Sequence, residues 1–183
     1  YLNIEIAENL EIDSQNRINI ELIISQGKEA RIGSMSILGN KVFEDKELLD
    51  QFSIGMKTNS FINYFTNKDR YSELAFDEGL QSISNHYMNS GYLDFNFTSV
   101  SKALSEDKEY INIEIELEEG IQYKLGAVSF KGELGNQKTD ELMQLVSIQE
   151  GEIFNWGAIV NDVQKITDVF VDQGYAFADL KPT

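Results

Sequence analysis

The sequence of 183 residues contains no cysteine and only one histidine. Without cysteine there is no disulfide, no thiolate nucleophile and no zinc–thiolate site. His86 stands alone, so a histidine-based metal site or catalytic triad would have to be completed by carboxylates. We read it as helix surface or cap. Basic residues are also scarce: 15 Lys and Arg face 31 Asp and Glu, for a net charge of −16. Nucleic-acid binding runs on phosphate neutralisation by Lys and Arg, so a nucleic-acid partner is disfavoured. The same sign argument disfavours an anionic membrane surface. No apolar run approaches the ~18 to 20 residues that span a bilayer. "SILGNKVF" carries neither phosphate-loop pattern, and the acidic residues show no calcium-loop spacing. The carboxylate pairs Glu114-Glu116 and Glu118-Glu119 read as solvated charge on a wet strand face. No nucleophile, base and orienter can be named together, so an enzyme is disfavoured and neither a cofactor nor a metal is expected. The chain opens on Tyr1 with no basic and apolar leader, and we expect a mature or excised stretch of a longer protein.

What is present is a core-forming composition, 42% hydrophobic, arranged as an internal repeat. "GKEARIGSMSILGN" from Gly27 aligns with "GIQYKLGAVSFKGE" from Gly120 at a shift of 93, pairing Gly33 with Gly126 and Gly39 with Gly132. Apolar residues alternate in both, as in a strand entered from a turn and left through a glycine. The opening "YLNIEI" aligns with "YLDFNF" at Tyr92, and "RINIEL" at Arg17 with "YINIEI" at Tyr110. The unit reads strand, short helix, longer helix, strand, strand. In its complete copy the first strand spans about 31–38, the short helix 45–52 and the longer helix 72–89. Phe76, Leu80, Ile83 and Tyr87 form one apolar stripe, and Ile159, Val163, Ile166 and Phe170 repeat it at a shift of 83.

Both longer helices run into Gly-Tyr, at Gly91-Tyr92 and Gly174-Tyr175. A glycine just past a helix end takes the left-handed conformation, and an apolar residue after it folds back on the last turn. The expected partners are Tyr87 and Phe170. The second strand is expected at 93–99, with Asp94, Asn96 and Thr98 facing water and Phe95 and Phe97 facing the core. A polar hairpin loop over 102–109 leads to the third strand, where Ile111, Ile113, Ile115 and Leu117 alternate with Asn112, Glu114, Glu116 and Glu118. Each unit is thus an α+β module, a three-stranded sheet with two helices on one face. The expected organisation is residues 1–26 as the last two strands of a preceding module, 27–119 as a complete module, and 120–183 as a module lacking its last strand. The long segment 53–71 holds Phe61, Tyr64, Phe65 and Tyr71. These aromatics read either as packing on the module's own helices or as an adhesive surface for a partner.

The assembled unit resembles the POTRA domain, whose order is β-α-α-β-β. The resemblance rests on "ARIGSMSILGNKVF", "YKLGAVSFKG", the helix-ending "GY" and the closing "INIEIELEEG", and it covers nearly the whole chain. "ILGNKVFEDKELLDQF" with "SFINYFTNKDRY" is similar to the third POTRA domain of the outer-membrane β-barrel assembly machinery. "YKLGAVSFKGELG" with "EGEIFN" is similar to the fourth, and the opening strands to the tail of the second. The resemblance implies tandem domains with mixed sheets in the periplasm of a Gram-negative bacterium. It implies a non-enzymatic scaffold that docks accessory lipoproteins, BamB in particular, and holds unfolded outer-membrane protein clients. In the family the second strand lies at a sheet edge, where unpaired backbone groups can accept a guest strand. The partner-binding residues implied here are Leu93, Asp94, Asn96, Thr98 and Ser99 on that edge, with Phe61, Tyr64 and Phe65 in the loop. The alternative is the POTRA region of a related transporter, a two-partner secretion pore or the translocation-and-assembly subunit TamA.

Overall fold

Alternation fixes which face of the sheet is inward. In β5 (Tyr110–Glu118) the side chains of Ile111, Ile113, Ile115 and Leu117 are buried, and the intervening Asn112, Glu114, Glu116 and Glu118 are exposed. Each buried aliphatic side chain contributes about 1.5–3 kcal/mol, so a one-residue slip of this strand would expose all four. The structure is a computed structural model that describes residues 4–12, 17–26, 30–54, 70–132, 134–135, 137–175 and 177–182. Its elements are β1 (Ile4–Ile12), β2 (Ile18–Gln26), β3 (Arg31–Leu38), α1 (Asp45–Leu49), α2 (Glu73–Asn89), β4 (Asn96–Leu104), β5, α3 (Thr139–Met143) and α4 (Trp156–Asp172). β1 and β2 form an antiparallel ribbon with Leu10 opposite Ile20. The other three strands form a mixed sheet in the order β3-β5-β4, with β3 parallel to β5. The Phe61, Tyr64 and Phe65 proposed from the sequence lie outside the described residues.

Residues group into two compact units. The first comprises Tyr1–Leu38, Phe43–Leu80 and Thr98–Glu116. Here Ile32, Met35 and Ile37 of β3 lie beside Ile111, Ile113 and Ile115 of β5, and Ala30, Leu48, Phe52, Ile54 and Phe76 are buried with them. The register shifts between Ile32 and Ser34, so Gly33 sits at a bulge in the parallel ladder. The Phe52 and Phe76 rings stack at 5.5 Å. Phe52 also lies against Gly79, where an added Cβ would fall 2.0 Å from its ring.

The second unit comprises Gly39–Val42, Gln81–Phe97 and Leu117–Thr183. Ile83, Tyr87 and Leu117 are buried, and the Tyr87 ring stacks on Phe95 at 4.2 Å. A separate cluster joins Leu142 of α3 to Ile166 and Phe170 of α4, with Phe130, Leu145, Val146 and Leu180 packed around it. α4 starts cleanly because the Asn155 side chain caps it, accepting the Ala158 N–H at 2.8 Å.

Three expectations are corrected. β4 starts at Asn96, so Leu93 and Asp94 lie in the turn before the strand. It runs on through Leu104, so the hairpin loop is 105–109 rather than 102–109. The strand expected after Gly120 is reduced, among the described residues, to one bridge between Lys124 and Ile153. A strand exists only through its ladder: β3 has β5 beside it, and no described segment stands in that place for 127–131.

Candidate functional site

Both helix stops have the expected geometry. Past the end of α2, Gly91 takes φ +89°; the Gly91 N–H donates to Met88 O at 3.3 Å and the Tyr92 N–H to Tyr87 O at 3.0 Å. Past α4, Gly174 takes φ +93°, and Gly174 and Tyr175 donate to Val171 O at 2.9 Å and Phe170 O at 3.0 Å. These are paired Schellman bonds. The rings fold back as expected, with Tyr92 edge-on to Tyr87 at 5.9 Å and Tyr175 to Phe170 at 6.2 Å.

The edge strand comes next. Asn96 and Thr98 are exposed, and Phe97 and Ser99 are half-buried. The Asp94 carboxylate is engaged, accepting the Tyr123 hydroxyl at 2.7 Å. Leu93 is exposed beside it in the turn. Farther along β4, Lys102 lies over the Phe76 ring at 4.5 Å and donates to Glu73 Oε1 at 2.6 Å. The Tyr71 hydroxyl donates to the other oxygen of Glu73. Those bonds from Lys102 and Tyr71 hold the Glu73 carboxyl below its ordinary range. Tyr71 packs on the helix that follows it, its ring 6.1 Å from that of Phe76. The two sheet edges differ. The start of β3 is covered by a bridge from Arg31 to Arg70 and by the Tyr71 N–H donating to Ala30 O at 2.9 Å. Among the described residues no strand pairs with the outer edge of β4.

Two acidic residues are buried, one of them read from the sequence as solvated and the other not singled out. Glu119, expected on the wet face, is 8% exposed. Its Oε1 accepts the Lys41 N–H at 2.8 Å, the Val42 N–H at 2.9 Å and the Tyr87 hydroxyl at 2.9 Å. Burial alone would raise this carboxyl. The Val42 and Lys41 amides and the Tyr87 hydroxyl outweigh it and hold the group below its ordinary value. Parity was the available signal, because Glu119 continues the inward series 111, 113, 115, 117. Asp162 is 3% exposed and accepts the Ser147 N–H at 2.6 Å and Lys165 Nζ at 2.9 Å. Burial raises it, and Lys165 and Ser147 lower it by more. Both carboxylates tie loops to the core. His86 lies half-buried in the last turn of α2. No helix among the described residues is long and apolar enough to cross a membrane.

The β-α-α-β-β order, the mixed sheet and the helix stop repeated in α4 define a class, that of small sheet-and-helix modules strung in tandem. Residues 30–120 and 123–183 match the POTRA family model, described as a surface antigen variable number repeat, and the chain belongs to that family. It is similar to the outer membrane protein assembly factor BamA of Neisseria meningitidis serogroup B, with 26% identity over 179 residues, 98% of this chain and 22% of that protein. It is 30% identical over 161 residues to BamA of Buchnera aphidicola subsp. Acyrthosiphon pisum, covering 87% of this chain and 25% of that protein. The chain thus spans about a quarter or less of the curated relatives it matches. The crystal structure of Haemophilus influenzae BamA POTRA3-5 superposes with a TM-score of 0.67 at 24% identity, covering 81% of this chain and 57% of that one, a likeness of fold.

Proposed function

We propose that this chain is a non-enzymatic periplasmic scaffold in outer-membrane β-barrel assembly, and that it holds client segments by adding them to β4. The observation that carries this reading is that, among the described residues, no strand pairs with the outer edge of β4, whereas the start of β3 at the opposite edge is covered. Backbone pairing is tolerant of guest side chains, which suits a receptor for many clients. Two features support it. "NFTSVSKAL" contains no acidic residue in a chain of net charge −16. Asp94, which as a strand residue would discourage pairing, lies ahead of the strand with its carboxylate engaged. The names of the relatives support the setting. A lipoprotein of the BamB kind is the accessory partner in this reading, and Asn96, Thr98 and Ser99 are the edge positions.

The domain organisation follows the same reading, with boundaries at 26/27 and 119/120. In the repeat Ile18, Ile20 and Leu22 correspond to Ile111, Ile113 and Ile115. The first three are 63%, 65% and 61% exposed and the second three 2%, 2% and 0%. The β1–β2 ribbon therefore reads as two strands of a preceding module whose helices would cover that face.

Neighbouring proline substitutions test the edge. Of Ser99→Pro and Val100→Pro, one removes an N–H aimed at β5 and the other an N–H aimed outward. We expect the outward one to keep the native circular dichroism spectrum and lose binding of a purified unfolded outer-membrane protein. Undiminished binding by both variants would count against the edge.

A further inference from the structure

A group of polar contacts gathers at the end of α2, within the second unit, and neither the helix stop nor the edge strand accounts for it. The Tyr123 N–H donates to the Gly91 carbonyl at 2.8 Å. The Gln122 side-chain amide donates to Ser90 O at 3.0 Å. The Tyr123 hydroxyl donates to Asp94 Oδ2 at 2.7 Å. The Gly157 N–H, in the first turn of α4, donates to Asn89 Oδ1 at 2.8 Å. The Tyr123 carbonyl accepts the Phe154 N–H at 3.0 Å, which ties 123 to the strand-like segment before α4.

Gly91 serves two purposes here. Its positive φ ends α2, and its bare Cα lets the chain approach: an added Cβ would lie 2.9 Å from both Tyr123 O and Ile153 Cγ2. Gly174, the same helix stop in α4, has nothing within 4 Å of that position. The close approach is therefore a feature of this site and not of the helix stop as such. Several directional bonds from one helix end to two separate segments allow little sliding or rotation.

We propose that Asn89, Gly91 and Asp94 form a docking seat that holds 122–123 and the first turn of α4 in one geometry, so that the C-terminal half of α2 and the whole of α4 move as a single body. The seat sets the direction in which the chain leaves one family repeat and enters the next.

The absence of cysteine allows a direct test, since labels can be placed at will. Spin labels at Asn85→Cys on α2 and Asn161→Cys on α4 report the distance between the helices by pulsed electron spin resonance. We expect one narrow distance population, unchanged by Asp94→Asn, whose amide oxygen still accepts the phenol. Adding Asn89→Ala, Asp94→Ala and Tyr123→Phe together should broaden it or split it. A broad distribution in the otherwise unchanged chain would overturn the proposal, as would a triple variant that stays folded and equally narrow. Should the triple variant unfold, amide exchange in the unchanged chain decides. Protection of the Tyr123 and Gly157 amides within roughly tenfold of Ile113 supports the seat, and exchange at unprotected rates refutes it.

Discussion

Gly91 and Gly174 share one conformation and differ in surroundings, which separates strain from packing. A β-branched residue at positive φ costs about 1–2 kcal/mol. Gly174→Val should show that loss and little more, whereas Gly91→Val should lose more, because its Cβ also meets Tyr123 and Ile153. Urea midpoints of the two variants check the ordering. Glu119 gives the second test at this scale. Its carboxyl titrates lower folded than unfolded, so its contribution is present above the unfolded value, about 4.3, and is lost as pH falls through the folded one. Glu119→Gln keeps an accepting oxygen but turns three charge-assisted bonds into neutral ones, so it should cost about 1–3 kcal/mol at neutral pH and flatten the acid limb of stability against pH. Asp162 has the same sign. The glycines were legible because a helix stop is written in adjacent residues. The parity of β5 pointed Glu119 inward, but its partners were not legible, because they are the amides of residues 41 and 42 and the hydroxyl of residue 87, far away in the sequence.

At the scale of elements, α2 is set against the α1 region by a glycine inside a helix. An exposed helical Gly→Ala gains about 0.5–1 kcal/mol from backbone entropy. At Gly79 the added Cβ would stand 2.0 Å from the Phe52 ring, which itself stacks on Phe76, and overpacking of this kind costs about 1–3 kcal/mol. The packing term is the larger, so Gly79→Ala should lower the thermal midpoint, read by calorimetry. The stripes of α2 and α4 and the alternation of β5 were legible because each has its own period. β4 was read too early and too short. Its C-terminal half is held by Lys102 reaching Glu73 and Phe76, and a lysine in a polar run gives no local sign of that. The segment after Gly120 alternates as a strand would, yet alternation reports only what a chain could pair, and the partner strand decides.

At the scale of the molecule, the resemblance in the repeat led to the right family, and 30–120 and 123–183 carry its match. The buried carboxylates Glu119 and Asp162 hold loops to the core. The most direct measurement is a titration of the ¹⁵N-labelled chain with an extended peptide from a β-barrel strand, followed by amide shifts and cross-strand nuclear Overhauser effects. We expect saturable shifts along Asn96–Leu104 and inter-strand contacts to the peptide backbone at alternate residues. Binding that leaves β4 unshifted, or no binding to a chain that is folded by the same spectrum, would contradict the edge as the client site.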